Sequence, residues 1–470
     1  MTLSGAGPSP DGYSPERRTA LLLTGTGTAG VYHAGVLRAL HEAGVKIDLV
    51  AGRGVGAIGA LFAAVDGAQR LWDDSGFWRS AGTARLYPWR GGLRTAAQAF
   101  VLAALIVLLP LATVAFGLVV YPIDFLLKMA GMSGGGMIAW YAQAAEAAFA
   151  PTALPTWLPR LALLAIAAAV AALFTASFGG GGVRHARGPW WWRLLPAPLE
   201  ADTIVARTWS AVWDLVRGAA HLQQPPRVDL ARRYAEILLE NLGQPGFREL
   251  VLVVHDIDAK RDLVLALVAE TNRRGLVRRP SARDTDRRRA EVFDLAGVSR
   301  DYLADAVAAA LTVPLATEPH LIRFTPDAYW RGETHRLCDR PGSVERLIAE
   351  LEELGVEQIV FVTAAPDAEG PHALAHPRVD LRGRLGEYAR SSESSVLFDA
   401  LDPRREGEPR IFVIRPLHNP VGVFDFDGGF DDRSDRRLNL NELMSRGYED
   451  AYHQFIEPVV GASGERVGGL

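Results

Sequence analysis

Residues 20–61, ALLLTGTGTAGVYHAGVLRALHEAGVKIDLVAGRGVGAIGAL, read as strand, glycine loop, helix, strand, sharp glycine turn and helix. Leu21, Leu22 and Leu23 form a short apolar run of buried-strand type, and Val36, Leu37, Leu40 and Val45 supply helical spacing. The first glycine turn therefore joins a strand to a helix N-terminus, which presents unpaired N–H groups to an anion or a polarised carbonyl. Residues 47–51 form a second strand that runs into Gly52-Arg53-Gly54-Val55-Gly56, followed by a helix carrying Ala57, Ile58, Ala60 and Leu61. This is the strand-elbow-helix setting of a G-x-S-x-G nucleophile, with glycine where the serine would stand.

Two chemistries compete for these turns. Gly25, Gly27 and Gly30 fit the G-x-G-x-x-G dinucleotide fingerprint, and Asp48 follows as an acid. The fingerprint needs that acid at the C-terminal end of the second strand, whereas Asp48 precedes or opens it, so its carboxylate falls at the wrong edge of the sheet. The pair of turns instead resembles the start of a patatin-like phospholipase domain. That resemblance implies that Gly25-Thr26-Gly27-Thr28-Ala29-Gly30 corresponds to the family's G-x-G-x-[K/R]-G oxyanion loop, with Ala29 at the usual basic position. It also implies that Gly54 stands at the nucleophile serine. The implied fold is α/β, a three-layer α/β/α lipid acyl hydrolase scaffold whose chemistry uses a Ser-Asp dyad without histidine. Glycine adopts the elbow's backbone angles with little strain, whereas a serine there costs ~1–3 kcal/mol, so Gly54 reads as a relaxed elbow.

Residues 99–121 carry no charge, about 35 Å of helix at ~1.5 Å per residue and enough to cross a hydrocarbon core of ~30 Å. Pro110 falls inside this run as a candidate kink. A second uncharged run, residues 161–178, gives roughly 27 Å and ends at Gly179. Trp190, Trp191 and Trp192 beside Arg193 form an amphipathic cluster of interfacial type. The expectation is a membrane hairpin of two spans, its connection, residues 129–150, being interfacial or re-entrant. Arg79, Arg85, Arg90 and Arg94 precede it and Arg184, Arg187 and Arg193 follow, while Lys128 and Arg160 are the basic residues between. The positive-inside rule puts both flanks, and the α/β domain, in the cytoplasm.

The expected organisation is a flexible tail at 1–19, a patatin-like first part at 20–95, the membrane hairpin at 96–200 and the second part of the domain with a C-terminal extension at 201–470. A formal charge of −4 over 470 residues argues against nucleic-acid binding driven by bulk charge. One cysteine, Cys338, excludes an intrachain disulfide and a cysteine zinc cluster. The histidines show no metal-type spacing, and no cofactor is expected; His33 reads as a local polar contact. Residues 250–256, LVLVVHD, form a buried strand. The arginine-rich stretch 273–289 reads as a solvated loop, with anionic lipid as the alternative contact, and residues 364–409 read as a long loop with a short helix.

From residue 298 the resemblance returns. A helix approaching Pro314, a strand, Asp339, a helix at 344–354 and a strand at 357–362 follow the family's order around its dyad aspartate. Arg340-Pro341 replaces the small residues of the usual D-G-[G/A]. A literal Asp427-Gly428-Gly429 occurs later and makes Asp427 the runner-up. Cys338 reads as a strand residue because no base accompanies it and thiol reactivity requires activation. Three functions follow: a membrane-anchored pseudoenzyme binding a lipid or acyl ligand; an active phospholipase or esterase that uses the N–H groups of Gly25, Gly27 and Gly30 with an unconventional nucleophile; or a non-catalytic membrane adaptor. The ligands implied are membrane lipids or acyl compounds.

Overall fold

The computed structural model describes residues 12–132, 136–149, 158–178, 197–218, 222–278, 291–366, 380–401, 408–430 and 436–461. In chain order the strands are β1 (Thr19–Leu23), β2 (Leu49–Gly52), β3 (Glu249–Asp256), β4 (Arg261–Leu267), β5 (Val292–Asp294), β6 (His320–Arg323), β7 (Thr334–Cys338), β8 (Gln358–Val362), β9 (Arg410–Ile414), β10 (Gly429–Phe430) and β11 (Arg437–Leu438). The helices up to the middle of the chain are α1 (Ala29–Glu42), α2 (Gly56–Ala64), α3 (Gln69–Trp72), α4 (Gly91–Met129), α5 (Met137–Phe149), α6 (Leu158–Phe178), α7 (Asp202–Val216) and α8 (Arg227–Asn241). They continue with α9 (Glu270–Arg278), α10 (Leu303–Ala310), α11 (Ser343–Glu353), α12 (Leu381–Ala400) and α13 (Leu440–Ala451).

The chain is a mixed α/β protein built on one large sheet, with strand order β5-β4-β3-β2-β1-β8-β9 and β7 paired to β3 and β6. β1 lies parallel to β2 on one side and to β8 on the other. All five residues of β1 and of β8 are buried, as expected for central parallel strands covered on both faces. On one face Ala20, Leu22, Ala51, Val251, Val253 and Phe361 pack with Val344, Leu347, Ile348 and Leu351 of α11. On the other, α2 lies so close to β1 that a Cβ on Gly56 would stand 2.1 Å from the Leu23 carbonyl oxygen. The chain leaves β1 towards β2 while β8 returns on the opposite side, so a topological switch falls at the C-terminal end of β1, where ligands bind in open α/β sheets.

Two compact units divide the chain: Met1–Pro88 with Glu200–Leu470, and Trp89–Leu199. In the second unit α4 packs along α6 and α5. α4 is 39 residues long and contains Pro110 and Pro122. It is the helix, among the described residues, that is long and apolar enough to cross a membrane; the apolar helical stretch Arg160–Thr175 is shorter. Its surface is bare: Leu105, Val107, Leu111, Leu118 and Leu126 are each at least 60% exposed. Tyr141 of α5 donates to the Thr113 carbonyl and meets the rings of Phe116 and Tyr121.

Three expectations change. Residues 364–409 contain the 20-residue helix α12 instead of a short one. The described start of the arginine-rich stretch, through Arg278, is helical as part of α9, and the rest lies outside the described residues. The described part of the N-terminal tail is pinned: Tyr13 is buried against Phe455 and donates to the Lys46 carbonyl, and the Ser14 N–H donates to Gln358. The tryptophan cluster at 190–192 lies outside the described residues.

Candidate functional site

The glycine loop follows β1 at the switch point. Gly25 and Gly27 have φ of +127° and +59°, angles that side chains seldom adopt, and they turn the chain so that Thr28 opens α1. The Thr28 N–H donates to the Val423 carbonyl at 2.8 Å, and its hydroxyl donates to the Gly422 carbonyl at 2.9 Å. A Cβ on Gly27 would stand 2.0 Å from that Val423 oxygen. Gly30 does different work. It lies inside α1, its N–H returns to the Gly27 carbonyl, and a Cβ there would meet the Trp78 ring at 2.3 Å.

The elbow follows β2. Gly54 has φ of +58°, and the Val55 N–H donates to the Gly25 carbonyl at 2.9 Å. The two turns therefore touch backbone to backbone. A Cβ on Gly54 would stand 2.2 Å from the Gly25 oxygen and 2.9 Å from Asp339 Oδ2. The carboxylate beside the elbow is thus that of Asp339, which follows β7 and precedes α11. Its N–H donates to the Thr312 carbonyl. Asp427 sits in the turn before β10, where its carbonyl accepts from Arg437.

Arg53, absent from the sequence-derived candidates, organises the site. It is fully buried. Its Nη1 donates to both oxygens of Asp339 at 2.8 and 2.7 Å, and its Nη2 to Glu393 Oε1 of α12 at 2.9 Å. Burial pulls the Arg53 pKa down, and the two carboxylates outweigh it, raising the net value. Asp339 is pushed up to about 6, chiefly by burial, with Arg53 opposing and Glu393 adding. The signal for Arg53 was an arginine between two glycines directly after a buried strand, a cation that must find a carboxylate. Nothing local distinguished Glu393 in its serine-rich stretch.

His33 on α1 is buried, and neither ring nitrogen closes a hydrogen bond. Burial lowers its pKa to about 3, with the Thr24 backbone opposing and Arg53 reinforcing the shift. It stays neutral at the loop. Cys338 is buried, and burial pushes its thiol up to about 12 with Asp339 adding, so it carries no thiolate to attack a substrate. Asp48 accepts from the Thr19 N–H at the opposite end of β1, away from the glycine loop. No cluster of three or more metal-ligating side chains occurs among the described residues.

Chemically, the arrangement places no side chain at Gly54, holds its central carboxylate on a guanidinium, and spends the Val55 and Thr28 N–H groups on the chain's own carbonyls. The space lined by Thr26, Thr28, Ala29, Glu393 and Val423 is about 20 Å³, room for about one water molecule.

The patatin-like phospholipase family model matches residues 21–90, which span both glycine turns. Patatin-like phospholipase domain-containing protein 6 of Mus musculus and of Homo sapiens are each 46% identical over 70 residues, 15% of this chain and 5% of theirs. Lysophospholipase nte1 of Aspergillus fumigatus is 46% identical over 48 residues, 10% of this chain and 3% of that one. The chain thus spans a small fraction of the length of these relatives. The crystal structure of VipD from Legionella pneumophila aligns with 96% of this chain and 68% of its own, at 13% identity and a TM-score of 0.31.

Proposed function

Given a chain that belongs to the patatin-like phospholipase family through residues 21–90, we propose a membrane-anchored, degenerate member that works at a lipid surface without acyl transfer. The observation that carries this reading is the closed contact between the two turns. The Val55 N–H, which follows the nucleophile position and would face an oxyanion, is held by the Gly25 carbonyl, and Gly54 has no side chain to form an acyl-enzyme. Asp339 takes the dyad position, but its role becomes that of a counter-ion to Arg53. The Gly25–Gly27 loop is read as the family's oxyanion turn, with the Thr28 N–H and hydroxyl after it held by the Val423 and Gly422 carbonyls.

The domain is read as a three-layer α/β/α patatin-like scaffold with an inserted hairpin. α4 and α6 are its two spans, and the α/β unit lies in the cytoplasm. Support comes from the bare apolar surface of α4, since exposed apolar area of that extent fits lipid contact. Membrane lipid is therefore the partner through the hairpin, and an acyl ligand enters the α/β site only if that site opens.

The test is hydrolysis by the purified full-length protein. Wild type is expected to leave p-nitrophenyl butyrate and lysophosphatidylcholine intact and to resist a fluorophosphonate probe. Gly54→Ser is expected to stay unlabelled and to lose stability by ~1–3 kcal/mol, because its Cβ would stand 2.2 Å from the Gly25 oxygen. Wild-type hydrolysis that disappears in Asp339→Ala would overturn the non-hydrolytic reading.

A further inference from the structure

The segment 419–424 lies across the glycine loop without being part of the sheet or of a helix. Its contacts with the loop are polar and directional. The Gly422 and Val423 carbonyls accept from the hydroxyl and the N–H of Thr28, and the Val423 oxygen sits over Gly27, where a Cβ would come within 2.0 Å. Helix α12 holds the segment from the other side. Arg390 donates to the Asn419 and Val421 carbonyls at 3.2 and 2.6 Å, and Arg382 donates to the Phe424 carbonyl. Asn419 in turn donates to the Ala364 carbonyl after β8.

We infer that residues 419–424 form an autoinhibitory latch: the Gly422 and Val423 carbonyls occupy the hydroxyl and N–H of Thr28, which would otherwise receive the carbonyl or carboxylate of a single-chain lipid. This rests on the reading of the loop as the family's oxyanion turn. The occupant matches that chemistry, since a peptide carbonyl and an acyl carbonyl present the same acceptor to an N–H at a helix N-terminus. A second feature marks the place as built for more than a turn. His33 Nε2 and Glu393 Oε1, the latter already accepting from Arg53, approach the position of a Cβ on Gly25 to 3.9 and 3.7 Å, and the buried His33 ring closes no hydrogen bond of normal geometry, its polar contact being with the Thr24 backbone. The latch is held by these arginine side chains, by the Asn419 bond and by the buried side chains of Val421 and Phe424, and not by sheet pairing, so removing the arginines loosens its carbonyls from the loop without breaking a strand.

The test is residue-resolved amide hydrogen exchange on the full-length protein in detergent, comparing wild type with Arg382→Ala/Arg390→Ala, with and without octanoate. The Thr28 amide is expected to exchange about tenfold faster or more in the variant, as a locally opened contact does. Octanoate should slow it again in the variant and leave wild type unchanged, while the β8 amides stay protected. Thr28 exchange equal to wild type, or acceleration that octanoate does not reverse, overturns the latch. If the double variant loses β8 protection, Thr28→Val serves instead: it removes the hydroxyl bond to Gly422, and unchanged exchange at residue 28 in that variant overturns the proposal. Hydrolysis by wild type would sink the non-hydrolytic reading and leave this exchange test standing.

Discussion

Arg53 is a single cation between two buried carboxylates, and Asp339 and the nearby His33 respond to protons in opposite senses. Asp339 has its folded pKa raised from 3.8 to about 6, so the stability it contributes is present below about pH 4 and lost as pH rises through 6. His33 has its folded pKa lowered from 6.5 to about 3, so its contribution is present above pH 6.5 and lost as pH falls towards 3. Each effect amounts to at most ~1.4 kcal/mol per pH unit, and between pH 4 and 6 the two oppose each other. Removing one uncovers the other. In Asp339→Asn the melting temperature should rise from pH 4 to 6 more steeply than in wild type, and in His33→Leu it should fall relative to wild type over the same range. Parallel profiles for all three proteins would show that neither group is held as the structure has it. The position of Asp339 was legible in the sequence because chain order around it, strand, aspartate, helix and strand, is a one-dimensional property. The partnership with Arg53 was not, because it joins residues directly after β2 and β7 that meet only when both strands pair with β3.

Helix α12 is the element that sequence patterning misses. Its residues LRGRLGEYARSSESSVLFDA hold two glycines and four serines, poor helix formers with weak amphipathic order. The helix exists because of what it docks against. Asp380 caps its N-terminus by accepting from the Gly383 N–H, Glu393 closes on Arg53, and Arg382 and Arg390 grip the segment 419–424. Such an element is specified by tertiary contacts that no local window contains. Glu393→Ala should therefore cost about 3–5 kcal/mol, the usual loss when one partner of a buried pair is removed, and should speed proteolysis within α12. A loss under ~1 kcal/mol in urea unfolding would show that α12 docks without the pair. By contrast β1, α1, β2 and α2 were readable at once, since buried apolar strands and glycine turns state their structure locally.

For the molecule as a whole, the hairpin reading gives a topology that labelling can test. In a Cys338→Ser background, Gln143→Cys on α5 should react with an impermeant thiol reagent added outside intact cells, and Ser210→Cys on α7 should react only after permeabilisation. Reaction of both from the same side would overturn two spans. The same chain order has a consequence in time. Thr19 of β1 pairs beside Gln358 of β8, and α4 ends at Met129, so a ribosome finishes the apolar helix roughly 230 residues before it makes the strand that β1 needs. At ~5–20 residues per second that interval is on the order of 10–50 s. β3 joins β2 partway through it, and the other edge of β1 stays open to the end, a surface that invites wrong pairing. Biosynthesis of this protein must therefore finish its apolar helix first and shelter the free edge of β1 until β8 arrives.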